Sequence, residues 1–211
     1  MVQTIHDISR LSIAPLLLYA LMHWRGFIMK PMRLLRWMVA FLAASEVVSY
    51  VSFRLMPNNL ILFSVYTIGE MFFVLQIITN LRFTPILQKV YYALFVALSL
   101  YMLYLVFSSH AYPTLARLGQ ACMLFIITFI ALLHWLKLGQ FNVWQLCIIL
   151  AFNARFLFIL FSHLGFRFNT GGTILELYVL KDMMNIGSNI LLFISMYFYL
   201  NQHQLYEKQS Y

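Results

Sequence analysis

Apolar residues fall in seven long runs, separated by short polar or turn-forming segments. Each run ends at charged residues, Pro, Gly or Asn, and each is close to the roughly 20 residues that a helix needs to cross a bilayer. The runs cover approximately residues 8–28, 35–55, 59–80, 91–108, 114–136, 143–164 and 173–200. This pattern predicts an all-α, polytopic membrane protein built as a bundle of seven transmembrane helices.

The overall composition excludes a soluble protein. Of the 211 residues, 63% are hydrophobic and 9% are charged, whereas about a quarter of the residues in a soluble domain are charged. A soluble enzyme and a nucleic-acid-binding protein are therefore excluded, because a fold of this size could not hide so much apolar surface from water. The connections are too short for a second domain. We expect one transmembrane domain, residues 1–200, followed by a short cytoplasmic tail, residues 201–211, in a cell membrane, the bacterial inner membrane.

The distribution of basic residues predicts how the bundle is oriented. Short cytoplasmic loops of membrane proteins carry an excess of Lys and Arg. Eight Lys/Arg lie on the side of the first, third and fifth connections and four lie on the opposite side. The first connection and its borders hold Arg25, Lys30, Arg33 and Arg36. We therefore expect the amino terminus outside and the carboxyl terminus in the cytoplasm, with anionic lipid at the basic first cytoplasmic loop.

Five charged residues lie at membrane depth, where they are expensive. Glu46, Glu70 and Arg155 fall near the middle of their runs, and Lys181 and Asp182 fall in the outer half of the last run. Each such group costs about 2.5–3.5 kcal/mol at the bilayer centre on insertion scales. We expect these groups to face the bundle interior and to form the pairs Lys181–Asp182 and Arg155–Glu46. With three acids and two bases, Glu70 is then the carboxylate that is shared or protonated.

Helical spacing adds uncharged polar residues to this set. In the last run, polar side chains recur at intervals of three and four residues, and in the third run Tyr66 precedes Glu70 by one turn. The predicted polar cluster, in the middle-to-outer membrane, consists of Glu46, Glu70, Arg155, Lys181, Asp182, Asn185, Asn189 and Tyr66. Two interpretations stay open: a site for a ligand, proton or ion, and a network that fixes the register of the helices.

The sequence offers little catalytic or metal chemistry. No two of the six histidines have the three- or four-residue spacing that would build a metal site on one helix. Both cysteines, Cys122 and Cys147, lie inside apolar runs and suggest neither a disulfide nor a metal site. We expect no catalytic residues, no metal and no cofactor.

Two segments resemble a known group of proteins. The stretch Asn59-Leu-Ile-Leu-Phe-Ser-Val-Tyr66-Thr-Ile-Gly-Glu70 resembles the third span of uncharacterised bacterial seven-helix integral membrane proteins, in which a tyrosine one turn before an intramembrane glutamate is typical. The segment Leu180-Lys-Asp-Met-Met-Asn185-Ile-Gly-Ser-Asn189 is similar to the polar stripe of their last span. This resemblance implies seven helices, marks Glu70 and Asn189 as notable positions, and implies no activity.

Two better-known groups match less well. Lys181 and Glu70 mimic the retinal lysine and the counterion of microbial rhodopsins, but Lys181 lies early in its span and no aromatic retinal cage is recognisable. Lysoplasmalogenase-like membrane proteins are similar in size and use intramembrane acids, but the aspartate-bearing motifs typical of them are not matched.

Three functional classes remain open from the sequence. The first is a non-enzymatic receptor or sensor-like bundle with a buried polar pocket, which would act with a protein partner or as a homo-oligomer. The second is a transporter or an oligomeric channel or pore. The third is an intramembrane lipid hydrolase of lysoplasmalogenase type, with Glu70 or Asp182 as the general base.

Overall fold

The structure is a computed structural model that describes residues 2–55, 60–82, 85–109, 114–139, 142–168 and 174–209. Its regular elements within these residues are all helical, in agreement with the predicted all-α fold. They are α1 (Val2–Leu11), α2 (Ile13–Met22), a short 3-10 helix (Trp24–Gly26), α3 (Lys30–Leu55), α4 (Leu60–Arg82), α5 (Pro85–Ser109), α6 (Thr114–Leu138), α7 (Val143–Phe168) and α8 (Ile174–Gln209).

Six helical stretches within the described residues are long and apolar enough to cross a membrane. They are Thr4–Met22, which joins α1 and α2, and Ser64–Leu81, Gln88–Ser108, Arg117–Lys137, Val143–Ser162 and Val179–Gln202, which lie in α4 to α8. The chain is therefore a multi-pass helical membrane bundle. The predicted count of seven spans also includes α3, which has 26 residues but is less apolar, because its first turns are basic and Glu46 interrupts its second half.

The first helical segment differs from the single span predicted at 8–28. It begins at Val2, breaks at Ser12 between α1 and α2, and ends at Met22. Pro15 explains the break, because proline has no backbone N–H to donate to the Leu11 carbonyl one turn earlier. The first span is thus one kinked segment.

Two other boundaries also differ from the predicted ones. Helix α8 continues to Gln209, so most of the segment predicted as a separate tail, 201–211, extends the last helix. Helix α4 ends at Arg82 and helix α5 begins at Pro85. The connection between them is therefore shorter than the one predicted between spans three and four. Helices often continue past the hydrocarbon core, and hydropathy does not report the extra turns.

The helices form a closed ring in chain order. Helix α2 packs on α3, each later helix packs on the next one, and α8 returns to pack on α1 and α2. Helix α4 also contacts α6 and α7 across the ring, and 56% of its apolar stretch is buried against 22% for α5. Helix α4 is therefore central and α5 peripheral, with Leu100, Tyr104 and Phe107 of α5 exposed to the surroundings.

Aromatic residues close one end of the ring. The Arg36 guanidinium lies 3.5 Å from the centroid of the Trp24 ring and donates to the Trp24 carbonyl. Tyr199 accepts a hydrogen bond from the Met29 backbone N–H at 3.0 Å and packs edge-on against Trp144. Arg36 is therefore buried against the end of the first segment and is not an exposed loop charge. The other buried charged side chains among the described residues, Glu70, Arg155 and Asp182, line a cavity nearer the opposite end.

Candidate functional site

A cavity of about 260 Å³ lies at the end of the bundle where α1, α4, α6 and α8 begin and where α3 and α7 end. We call it the polar cavity. All eight residues of the predicted cluster line it, together with eight others. The described lining residues are His6, Ser9, Arg10, Ile13, Leu42, Glu46, Ser49, Tyr66, Glu70, Arg117, Arg155, Ile159, Lys181, Asp182, Asn185 and Asn189.

The most deeply buried ion pair of the polar cavity joins α4 and α7. Arg155 Nη2 lies 2.7 Å from Glu70 Oε1, and the two side chains are only 10% and 5% exposed. The same Nη2 donates to the Tyr66 hydroxyl at 3.3 Å. The predicted partner of Arg155 was Glu46, so that pairing is wrong. Tyr66 and Glu70 lie one turn apart on α4, and both contact the Arg155 guanidinium.

Glu46 pairs instead with a residue of the first helix. Arg10 Nε lies 3.3 Å from Glu46 Oε2, and the two side chains are 40% and 36% exposed. This pair lies at the rim of the polar cavity. Because its side chains are more exposed than those of Glu70 and Arg155, solvent screens their charges more. The predicted pairing of Glu46 with Arg155 is wrong because Arg10 of α1 contacts Glu46 and Glu70 contacts Arg155.

Asp182 contacts a histidine that the sequence analysis did not select. His6 Nδ1 lies 3.0 Å from Asp182 Oδ2, and the carboxyl side chain is 7% exposed. Asp182 is thus in direct contact with His6, and its predicted partner Lys181 interacts with it electrostatically. This contact is a full ion pair only when the imidazole is protonated.

A third contact ties the first segment to α8. Asn189 Nδ2 donates to Ser12 Oγ at 2.8 Å, and Ser12 Oγ donates in turn to the Ser9 carbonyl at 2.6 Å. Ser12 is the residue at which α1 meets α2. Helix α1 therefore forms one side of the polar cavity and is held there by contacts to α3 and α8.

The charge balance is the reverse of the one expected. The sequence analysis counted three acids against two bases, whereas the described lining residues contain three carboxylates and four cations, Arg10, Arg117, Arg155 and Lys181. Lys181 is within electrostatic reach of Asp182 and also of Arg117 and Arg155. Carboxylates are therefore not in excess among the described lining residues, and Glu70, the residue expected to be shared or protonated, pairs with Arg155.

Some polar residues near the predicted cluster face other helices. Ser188 Oγ donates to the Ala151 carbonyl of α7 at 3.1 Å, and Ser162 Oγ donates to the Ile159 carbonyl on its own helix. Asn185 and Asn189, which bracket Ser188, line the polar cavity. Helix α8 thus presents one polar face to the cavity, while Ser188 joins it to α7.

His6, Arg10 and Arg117 are the functional candidates that sequence analysis missed. His6, Ser9, Arg10 and Ile13 recur at three- and four-residue intervals, which is the spacing of one helix face. That signal was present in the sequence, although these charges near a span end resemble ordinary orientation signals. Arg117 had no such signal, because a single basic residue at a span end is typical of an interfacial anchor.

Two buried polar atoms at the site have no hydrogen-bond partner among the described residues. They are Arg155 Nε and Asn189 Oδ1. Buried polar groups in folded proteins are nearly always satisfied, by protein atoms, by water or by a ligand. Both residues line the polar cavity, so its contents are the natural source of the missing partners.

Within the part of the chain that the structure describes, no group of three or more His, Cys, Asp or Glu side chains is arranged to hold a metal ion. No protein-family model matches the chain, and no curated protein or solved structure is significantly similar to it.

Proposed function

We propose that this chain is a non-enzymatic, receptor- or sensor-like membrane protein that binds a small polar ligand in the polar cavity. The observation that carries the proposal is the origin of the cavity's lining residues, which come from α1, α2, α3, α4, α6, α7 and α8. A ligand that contacts so many helices changes the relative free energies of their alternative packings. Such differential binding is what a receptor requires.

The proposal includes a topology of seven spans with the amino terminus outside, in the bacterial inner membrane. The polar cavity then lies in the middle-to-outer membrane and receives its ligand from outside. The first connection is then cytoplasmic, and its exposed Arg25, Lys30 and Arg33 would meet anionic lipid or an acidic partner. A protein partner, or a second copy of the chain, would receive the signal at the cytoplasmic end of the bundle.

The experiment is a ligand screen on the purified protein in lipid nanodiscs. The probes are inorganic phosphate and acetate as anions, choline as a cation and glycerol as a neutral molecule, with the ionic strength held constant. We expect one class to raise the unfolding temperature, because a ligand that binds only the folded protein stabilises it. Asn185→Leu, which removes polar atoms from the polar cavity, should reduce that rise.

The matched control is Asn142→Leu, at an exposed position between α6 and α7, which should leave the rise unchanged. If none of the probes stabilises the protein, the binding role is contradicted. Saturable uptake of a stabilising probe into proteoliposomes would show a transporter or channel and contradict a receptor.

A lipid hydrolase is the second candidate, and the contact between His6 and Asp182 favours it. A carboxylate beside Nδ1 orients an imidazole so that its other nitrogen can accept a proton. Glu70, the other base considered for this reaction, is engaged by Arg155. Release of fatty acid or another lipid fragment by the purified protein, abolished by His6→Gln, would establish this alternative; the receptor proposal expects no release.

A further inference from the structure

The charges around the polar cavity indicate which class of ligand it takes. Four described lining residues are fixed cations and three are carboxylates, so the described lining carries a net charge of +1 with His6 neutral. Protonation of His6 would raise it to +2. Because the count includes paired cations, the excess belongs to the lining as a whole and not to one unpaired side chain.

Two carboxylates of the described lining pair with arginines, and the third contacts a histidine. Glu70 lies 2.7 Å from Arg155, Glu46 lies 3.3 Å from Arg10, and Asp182 lies 3.0 Å from His6. Lys181 and Arg117 also line the polar cavity. The ammonium group of Lys181 is attracted by Asp182 and repelled by Arg117 and Arg155. A cationic ligand would have to compete with cations already held by the carboxylates, whereas an anion would relieve repulsion among the basic side chains.

The donor types and the size of the polar cavity narrow the ligand further. Guanidinium and ammonium groups are the donors that proteins use for phosphate and carboxylate groups, with charge-assisted hydrogen bonds. Pockets for drug-sized ligands are about 300–1,000 Å³, and this one is about 260 Å³.

We propose that the ligand is a small oxyanion that carries one phosphate or carboxylate group. This inference rests on the proposed binding role of the polar cavity and names its ligand class. The oxyanion accepts hydrogen bonds from the basic residues, with Lys181 as a principal contributor. Two sources share this chemistry: a soluble small anion and the phosphate of an anionic lipid headgroup that enters at the rim between Arg10 and Glu46.

The test measures stabilisation by inorganic phosphate in phosphatidylcholine nanodiscs, with sodium chloride at equal ionic strength as the reference. We expect phosphate to raise the unfolding temperature. Lys181→Met should weaken the apparent affinity at least tenfold, while Lys137→Met should not change it, because Lys137 is exposed near the other end of α6. Glu46→Gln should strengthen the affinity, since it removes a negative charge from the lining and releases Arg10.

The Glu46→Gln variant keeps the test decisive if Lys181→Met does not fold, because a purely structural role for Glu46 predicts no gain in affinity. A lipid headgroup as the source is shown if phosphatidylglycerol nanodiscs stabilise the protein without added phosphate and do so less for Lys181→Met. Stabilisation by choline and not by phosphate or phosphatidylglycerol would overturn this inference and leave the binding role intact. If no probe, charged or neutral, stabilises the protein, both are overturned.

Discussion

Glu70 and Arg155 are the two residues on which the electrostatics of the bundle depend most. Their side chains are 5% and 10% exposed and their charged atoms lie 2.7 Å apart. Water cannot screen either charge, so each one stabilises the other and neither is tolerated alone. Removing one partner of such a buried pair costs about 3–5 kcal/mol, because the remaining charge stays buried without compensation.

The first prediction at this scale concerns Glu70→Gln, which removes the negative charge and preserves the shape. We expect the unfolding temperature in detergent to fall by roughly 10 °C, because the Arg155 charge loses its partner. The measurement is a thermal unfolding curve for each purified variant. The matched control is Glu46→Gln, where the pair with Arg10 is partly exposed and is worth about 0–1 kcal/mol.

The double variant Glu70→Gln/Arg155→Gln extends this prediction. It should be more stable than Glu70→Gln alone, since no uncompensated charge remains in the bundle. Equal losses for Glu70→Gln and Glu46→Gln, together with no recovery in the double variant, would show that the pair between Glu70 and Arg155 is not buried as described.

At the residue scale, the sequence predicts membership of the site well and predicts partners poorly. Charged side chains at membrane depth must leave the lipid, so position alone places Glu70 and Arg155 in the interior. The partner of each one depends on which helices are neighbours and on the rotation of each helix about its axis. Neither can be derived from a single sequence. Arg10 was missed for a related reason: its charge lies where orientation signals also lie.

At the scale of elements, α3 and α4 pack tightly at Gly69, which precedes the cavity-lining Glu70. Gly69 has no side chain, and a methyl group there would collide with the Phe41 ring of α3. That ring packs against Tyr66 and against Phe73, so its freedom to move is limited. The position next to Glu70 must therefore be very small for the two helices to keep this spacing.

The second prediction is that Gly69→Ala destabilises the bundle by about 1–3 kcal/mol, the usual cost of overpacking a filled interior. The added methyl group displaces Phe41 and separates α3, which carries Glu46, from α4, which carries Tyr66 and Glu70. Thermal unfolding of the purified variant measures the loss. Gly187→Ala is the matched control, since a methyl group on that helical glycine meets nothing within 4 Å.

Gly187→Ala should be neutral or slightly stabilising, because alanine favours a helix over glycine by roughly 1 kcal/mol. If Gly69→Ala behaves in the same way as Gly187→Ala, the close approach of α3 and α4 is wrong.

Hydropathy predicts most of the helices at this scale, but not the form of the first one. A run of apolar residues reports where a helix crosses the hydrocarbon core, so α4 to α8 correspond to predicted runs. The break at Ser12 follows from Pro15, whose missing N–H hydropathy does not register. Hydropathy also does not predict the start of α1 at Val2. The polar and apolar residues of α1 lie on different faces of the helix, so its mean hydropathy is low.

At the scale of the whole molecule, the ring of helices separates two chemical environments. Outward-facing residues such as Leu18, Val65 and Leu133 are apolar and exposed, which suits contact with lipid tails. The polar cavity collects charges from nearly every helix at one end, and the aromatic contacts around Tyr199 close the other end. This arrangement requires α3 to run the full depth of the ring, since it packs between α2 and α4 and contributes Glu46 to the polar cavity.

The third prediction is therefore that α3 crosses the membrane, although its residues are less apolar than those of the other helices. Its 26 residues span about 39 Å at 1.5 Å per residue, which is enough for the hydrocarbon core.

A crossing by α3 places Lys30, at its start, on the same side as Lys89, near the start of α5. The test uses an impermeant thiol reagent on a protein without Cys122 and Cys147. Added outside intact cells, the reagent should label both Lys30→Cys and Lys89→Cys or neither of them. Thr4→Cys, in α1, is the control and should react from the side opposite Lys30→Cys whether or not α3 crosses. If α3 stays on one side, α4 carries the chain across alone, and Lys30→Cys and Lys89→Cys then label from opposite sides.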